Sequence, residues 1–335
     1  MSTHRQSAAR LIDESLGFLF PAALRAAAAV GVADHMTDSG RSVEHLAAAT
    51  GTDARNLGRV LRLLATRGVV EETDEGRFRL TGTGRALRSD APHSARDAVL
   101  MLTDPSMWRP AGEMDRCLTD GGPAFTRIFE APFFDHFARD AETAAVFHAG
   151  MAAMSDPENG PVAGAYDFPP DGTVVDVGGG HGGLLAEVLR RRPGLRGILH
   201  DQEHVLAGHR LGHQDITGRW SLSRGDFFSS VPAGDLYLLK RILHDWDDDE
   251  SAAILRNCRH SLAPGGRVLV IDAVVPPGNL PHQSKTMDLM MMASLTGRER
   301  TAEDFARLFT AAGLRLHRIV PTPTVLSVVE AVSAA

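Results

Sequence analysis

An apolar strand that runs into a glycine-rich turn and then a helix constrains this chain more than any other segment. Residues 173–183 read TVVDVGGGHGG and are followed by the helical pattern LLAEVLRRR. Gly178, Gly180 and Gly183 match the G-x-G-x-x-G spacing of nucleotide-binding strand–turn–helix units, and Asp201 ends the next apolar run. The segment therefore predicts a Rossmann-like domain that binds a nucleotide-containing cofactor at this turn.

The residues that follow the turn support the same fold class. Short β-branched runs (TVVDV, RGILH, DLYLL, RVLVID) alternate with helical stretches, which is typical of a parallel sheet covered by helices. The tail LRLHRIVPTPTVLSVVEAV indicates two adjacent strands that close one edge antiparallel. We predict an α/β catalytic domain over residues 166–335.

The first 100 residues have a different pattern, helices followed by a small hairpin. In order, we expect an alanine-rich helix at 22–36, a helix capped by Ser42, a longer helix capped by Thr52, and hairpin strands at 69–72 and 77–80. This order predicts a winged helix over residues 1–100. Residues 101–165 are expected to be a helical connecting region that lines the acceptor pocket.

Composition argues against several partners. The net charge is −7 and the wing carries Glu71, Glu72, Asp74 and Glu75, so nucleic acid is not an expected partner and dimerisation is the favoured role of the winged helix. No apolar run reaches the ~18 residues needed to span a bilayer. Two cysteines exclude a disulfide framework, and no clustered ligand set for a metal ion is evident. We expect a cytoplasmic protein.

Asp176 bears on which nucleotide the glycine turn binds. The glycine spacing by itself fits a nicotinamide dehydrogenase, but Asp176 lies two residues before the first glycine. A pyrophosphate would meet this carboxylate as a like charge. S-adenosylmethionine has no phosphate and carries an ammonium and a sulfonium, so the acid favours this cofactor.

Five segments in fixed order resemble one enzyme family. They are VVDVGGGHGGLL, GDFF, LLKRILHDWDDDE, LAPGGRVLVIDAVVP and GRERTAEDFARLFTAAGL. Together they are similar to the S-adenosylmethionine-dependent O-methyltransferases that include plant caffeic-acid-type enzymes and bacterial enzymes of aromatic polyketide and phenazine tailoring. The resemblance covers nearly the whole chain. It implies a class I methyltransferase domain and a homodimer whose N-terminal domains help to close the partner's acceptor pocket.

The resemblance also implies positions for the cofactor. Gly178 and Gly180 would contact its methionine moiety and Asp201 the ribose, while Asp226, Phe227 and Lys240 would lie beside the adenine. One departure is that Gln202-Glu203 follows Asp201 where the family usually has an apolar residue and proline.

His244 is the predicted general base. It follows the strand DLYLLKRIL, and open α/β sheets place their chemistry at the carboxyl ends of strands. An unaided imidazole would accept a phenol proton at a cost of about 5 kcal/mol. The resemblance places Asp272 and Glu299 beside His244 as supporting acids, although the first is usually glutamate in plant enzymes. Asp248 and Asp249 are expected to cap the next helix.

A small, largely aromatic substrate is expected in a pocket rich in thioethers. The residues that we expect to line it are Phe137, Met151, Met154, Met287 and Met291. Each of these side chains is equally consistent with ordinary core packing.

Three alternatives to methyl transfer stay open at this point. They are a nicotinamide dehydrogenase, a small-molecule-sensing regulator that binds DNA through the winged helix, and a family member that has turned to hydroxylation or decarboxylation with the cofactor retained. The presence of His244 with both acids favours methyl transfer.

Overall fold

A mixed sheet of seven strands forms from residue 171 onward in the computed structural model, which describes residues 3–213 and 215–334. The strands are β3 (Asp171–Val177), β4 (Gly194–Asp201), β5 (Trp220–Arg224), β6 (Gly234–Lys240), β7 (Leu262–Ala273), β8 (Leu314–Pro321) and β9 (Leu326–Ser333). Their order is β5-β4-β3-β6-β7-β9-β8. The first five strands of this order pair in parallel, whereas β9 pairs antiparallel with both β7 and β8. The predicted antiparallel edge is confirmed.

Helices make up most of the remaining regular structure. The α-helices are α1 (Thr3–Ser15), α2 (Leu19–Val30), α3 (Val43–Thr50), α4 (Ala54–Ala65), α5 (Arg96–Leu102), α6 (Pro105–Ala111), α7 (Met114–Asp120), α8 (Ala124–Phe129), α9 (Phe133–Arg139), α10 (Ala141–Ala165), α11 (Gly183–Arg191), α12 (Glu203–Leu206), α13 (Asp248–Ser261), α14 (Gln283–Ser294) and α15 (Ala302–Ala311). Short 3₁₀ turns lie at Val32–His35, Gly84–Leu87, Leu211–His213 and Leu243–Asp245.

The sheet separates two hydrophobic clusters because adjacent strand residues point to opposite faces. Val174 belongs to the cluster that includes the apolar face of α11, and Val175 belongs to the cluster with α13 and α15. Both faces are therefore buried under helices, as the near-continuous apolar character of the strands requires.

The chain divides into two units, neither of which is continuous in sequence. The first holds the described residues up to Trp108 together with Phe137–Ser155, and the second holds Arg109–His136 and the residues from Asp156 onward. The connecting region expected at 101–165 is thus distributed between the two units.

The helices and hairpin of the first unit follow the predicted order, with one corrected cap. The strands β1 (Val70–Glu72) and β2 (Phe78–Leu80) pair antiparallel, and Ser42 caps α3 by accepting a hydrogen bond from the His45 amide. The cap of α4 is Asp53, not Thr52. The Asp53 side chain accepts a hydrogen bond from the Asn56 amide, because the helix begins one residue later than the apolar pattern suggests.

Another corrected cap lies in the second unit. Asp247 caps α13 and forms a reciprocal capping box with Glu250, so Asp248 and Asp249 lie within the first turn. Their charges are favourable there because the N-terminal end of a helix carries partial positive charge.

The strand order locates the functional end of the sheet. From β3 the sheet extends through β4 and β5 on one side and through β6 and β7 on the other, so the order reverses between β3 and β6. Crevices at such a reversal, outside the carboxyl ends of the strands, are where open α/β sheets bind ligands. The glycine turn follows β3 and the His244 segment follows β6, so both lie at this reversal.

Candidate functional site

The glycine turn after β3 needs residues without side chains. Gly178 and Gly180 have positive φ angles, +64° and +58°. A Cβ on Gly178 would lie 2.5 Å from the Ile242 Cδ1 atom, whereas a Cβ on Gly180 would meet open space. The turn therefore combines a conformation that favours glycine with a backbone open to a ligand at Gly180.

Asp176 is the buried acid beneath this turn. Its side chain is 1% exposed, and its Oδ2 atom has no hydrogen-bond partner among the described residues. Burial raises the pKa of Asp176 to about 7, against the opposing effect of Lys240. A buried carboxylate oxygen without a partner fits a cationic ligand group, such as the ammonium of S-adenosylmethionine.

Asp201 holds the glycine turn in place. Its Oδ2 accepts a hydrogen bond of 2.9 Å from the Gly180 amide, and its Oδ1 accepts one of 2.7 Å from the Gln202 amide. The sequence predicts a ribose contact for Asp201, and the carboxylate is half-buried at the end of β4 where it can also accept from a ligand. The contact with Gly180 was not anticipated.

Asp226 and Phe227 lie on the segment that follows β5. Asp226 is exposed and accepts a hydrogen bond from the Phe228 amide, which shapes the turn. Phe228 meets Trp246 edge-on, with ring centroids 4.8 Å apart, and Phe227 lies 6.2 Å from the same ring. The three rings form an aromatic cluster beside the position predicted for the adenine.

Lys240 ends β6 and is held by two residues of α10. Its Nζ donates a 2.7 Å hydrogen bond to Asn159 Oδ1 and lies 3.3 Å from Glu158 Oε2. Burial lowers the pKa of Lys240 to about 8, although Glu158 opposes that effect. The predicted adenine-side residue is thus part of a buried charge cluster.

His244 lies in the 3₁₀ turn after β6 and is 6% exposed. Its Nδ1 is 2.9 Å from Glu299 Oε1, as the predicted pairing requires. Its Nε2 is 3.4 Å from Asp245 Oδ1. Burial by itself would lower the pKa of His244, but Asp245, Glu299 and Asp272 together raise it to about 9.

Asp272, the second predicted acid, acts on His244 through its charge. It is buried at the end of β7, and neither carboxylate oxygen has a hydrogen-bond partner among the described residues. Burial raises the pKa of Asp272 to about 6.

Asp245, which sequence analysis missed, has a pKa raised to about 6 for the same reason, burial. Its position directly after the candidate base His244 is the sequence feature that could have identified it.

The GRERT segment (residues 297–301) holds the His244 turn. Arg300, 1% exposed, donates from Nη1 to the Leu243 carbonyl and from Nη2 to the Trp246 carbonyl, on either side of His244. A Cβ on Gly297 would lie 2.1 Å from the His244 carbonyl oxygen. Glu299 is fixed in turn because its amide donates to Asp288 Oδ1. The two most specific sequence motifs therefore form one structural element.

The predicted acceptor-lining residues belong to both units. Phe137, Met151 and Met154 lie in the first unit, where Phe137 is buried and stacks on Phe147 at 4.4 Å between ring centroids. Met287 and Met291 lie on α14 in the second unit, and Met291 is buried. Contact with a substrate stays a prediction for all five.

The strand order and the placement of the turn define a Rossmann-like methyltransferase. Residues 112–315 match the O-methyltransferase domain and residues 12–90 match the O-methyltransferase dimerisation domain, so the chain belongs to the O-methyltransferase family. It is an S-adenosylmethionine-dependent enzyme, and the nicotinamide alternative is rejected.

Individual relatives align with this chain over most of its length. The crystal structure of CalO1, a methyltransferase in calicheamicin biosynthesis in its SAH-bound form, is 53% identical, covers 100% of both chains and has a TM-score of 0.92. Phenazine O-methyltransferase PhzM of Lysobacter antibioticus is 40% identical over 96% of this chain and 95% of its own. Aclacinomycin 10-hydroxylase RdmB of Streptomyces purpurascens is 33% identical over 88% and 81%.

No helix within residues 3–213 and 215–334 combines the length and the apolar character that crossing a membrane requires.

Proposed function

We propose that this enzyme methylates a hydroxyl of a small aromatic natural product and that His244 is the general base. The observation that carries the proposal is the buried His244–Glu299 contact, with Asp245 and Asp272 near the same imidazole. The substrate class rests on relatives such as the phenazine enzyme PhzM.

The acid cluster brings the basicity of His244 close to that of a phenol. A pKa of about 9 lies about one unit below the ordinary phenol value of about 10, so proton transfer costs on the order of 1 kcal/mol instead of about 5. If Nδ1 donates its proton to Glu299, Nε2 is the atom that accepts the proton of the acceptor hydroxyl. Asp245, next to Nε2, would then stabilise the imidazolium that forms.

The residues expected to hold S-adenosylmethionine are those at the reversal of strand order. Asp176 would bind its ammonium, the backbone of Gly178 and Gly180 would admit its methionine moiety, and Asp201 would bind its ribose. Phe227 and Asp226 would flank its adenine, with Lys240 on the same side. When bound, this cofactor supplies an electrophilic methyl group on a sulfonium sulfur.

The proposal is tested by turnover of phenolic natural products with S-adenosylmethionine, read by mass spectrometry as gain of one methyl group. His244→Gln should lower kcat about 10²–10⁴-fold while the dissociation constant for S-adenosylhomocysteine changes little. Near-wild-type turnover by this variant at neutral pH would show that His244 is not the base.

Hydroxylation is the second candidate, because RdmB is a hydroxylase of similar sequence. The two activities are separated by the product, since transfer consumes S-adenosylmethionine and forms S-adenosylhomocysteine in equal amount with methylated acceptor. A product that gains oxygen without a methyl group would favour the second candidate.

The assembly that we propose is a homodimer formed through the N-terminal domain. Apolar side chains of α1 and of the residues that follow it are exposed, namely Leu11, Ile12, Leu16, Phe18 and Leu19. They fall within residues 11–19, from α1 to the start of α2, and exposed apolar side chains grouped in this way are typical of a protein interface. The match of residues 12–90 to a dimerisation domain supports the same conclusion.

A further inference from the structure

A buried ion pair joins α10 to the end of β6, three residues before His244. Arg241 donates from Nε and Nη2 to the two carboxylate oxygens of Glu158, at 3.1 and 2.5 Å. Both side chains are nearly inaccessible to solvent, with 8% and 12% of their surface exposed. Two parallel hydrogen bonds fix the guanidinium in one orientation, which a lysine could not reproduce.

The backbone at Arg241 is also unusual. Its φ angle is +54°, in the left-handed region that non-glycine residues rarely adopt. Its amide donates to the Ile271 carbonyl at 3.1 Å, so the pairing of β6 with β7 continues through this residue before the chain turns toward His244. Such a conformation costs of order 1–3 kcal/mol and persists where the surrounding contacts hold it. The Glu158 pair is one of those contacts.

The charges around His244 give this arginine a second role. The groups that face His244 are Asp245 from its own turn, Asp272 from β7 and Glu299 from the GRERT segment. Arg241 interacts electrostatically with Asp272 and Glu299, and it favours the ionised forms of Asp245 and Asp272. Arg300 directs its donors to the carbonyls of the turn, Ser251 and Asp248.

We propose that the buried Glu158–Arg241 ion pair positions the His244 turn and that the Arg241 guanidinium supplies positive charge beside the carboxylates around the base. Glu158 fixes the guanidinium, Arg241 holds the left-handed turn, and the turn sets where His244 lies. Both are positioning residues, since neither contacts the imidazole. The inference rests on His244 being the base.

Removal of the Arg241 charge should shift the pH profile of activity in a defined direction. Loss of a nearby positive charge favours protonated imidazole, so the rising limb of kcat/KM, which follows deprotonation of His244, should move to higher pH in Arg241→Met, by about 0.5–1 unit. A misplaced base should also lower kcat roughly 10–100-fold. Arg241→Lys keeps the charge and loses the paired hydrogen bonds, so its kcat should fall while its rising limb stays near that of the wild type.

The conservative variant Arg241→Lys separates positioning from stability. In it the Glu158 carboxylate keeps a cation at position 241 as well as the Lys240 ammonium, which lies 3.3 Å from its Oε2 atom, so no buried charge is left uncompensated. We expect Arg241→Lys to melt near the wild-type temperature while its kcat stays lowered. Arg192→Met, which removes an arginine from a surface pair with Asp167, is the matched control. It should change neither the melting temperature nor kcat.

The measurements are kcat and KM from pH 6 to 10, thermal melting, and calorimetric binding of S-adenosylhomocysteine, all on the full chain. A wild-type kcat in Arg241→Lys at an unchanged melting temperature would show that the paired hydrogen bonds do not position the base and would overturn the inference. If His244→Gln lowers kcat as expected while the Arg241 variants match Arg192→Met, this inference fails and the proposed base stands. If His244→Gln has no effect, the proposed function of His244 fails first.

Discussion

His244 has a charged environment that determines when it can act. With a pKa of about 9, the imidazole is mostly protonated at neutral pH, and only its neutral form can accept a proton. The acids that make it a stronger base thus also reduce the fraction of molecules in the basic form. Activity should accordingly rise with pH toward about 9, above the ordinary histidine range.

Asp245 has the largest raising effect on the pKa of His244. Asp245→Asn removes that charge, so the pKa of His244 should fall and the rising limb of kcat/KM should move to lower pH. The measurement is a pH–rate profile with a fixed phenolic acceptor. Asp249→Asn, at an exposed residue in the first turn of α13, is the control and should leave the limb in place. An unmoved limb in Asp245→Asn would contradict the assignment.

Glu299 and His244 act on one proton, so their effects should not add. Glu299→Gln keeps a hydrogen-bonding side chain without its charge and should slow turnover less than His244→Gln does. The double variant should be much less impaired than the product of the two single effects, as is usual for residues that function as a unit. Kinetics of the three variants give the comparison, and strictly multiplicative losses would show that the residues act independently.

At the scale of elements, the His244 turn and the GRERT segment form one unit. Gly297→Ala would bring a Cβ to 2.1 Å from the His244 carbonyl oxygen, so the turn must shift. We expect lower turnover and a lower melting temperature. Gly82→Ala is a matched control because its Cβ would meet nothing within 4 Å and its φ is not positive. If Gly297→Ala matched this control in both measurements, the two segments would not be coupled.

Most strands could be predicted because they are buried on both faces of the sheet. Burial on both faces requires apolar side chains at nearly every position, which gives a recognisable apolar run. The strand β5 escaped prediction because it lies at the sheet edge and all five of its residues are exposed or half-buried. An edge strand that is exposed to solvent can contain polar residues, so its sequence does not show the apolar run by which the buried strands were predicted.

The site was predicted only where a residue lies in a local motif. His244 and Glu299 could be identified because each lies in a short, specific segment. Glu158 and Arg241 could not, because their pairing joins residues 83 positions apart and an isolated acid or arginine carries no such information. Asp201 was assigned to a ligand because sequence does not show that its carboxylate also holds the Gly180 amide.

At the scale of the whole molecule, the exposed apolar side chains of α1 predict the assembly. Leu11 and Ile12 are 69% and 64% exposed. Replacing both with glutamate would place charge in the proposed interface, so the chain should become monomeric by light scattering at micromolar concentration. Leu118→Glu, at an equally exposed leucine of the second unit, should remain dimeric. A wild-type chain that is already monomeric would reject the proposed homodimer.

The division of the chain into two interrupted units has a consequence for its synthesis. The first unit includes Phe137–Ser155, and the second begins at Arg109, before the first is complete. On the ribosome, neither unit can therefore finish folding before the other has begun to emerge. The N-terminal unit must wait, partly formed, until residue 155 has left the exit tunnel.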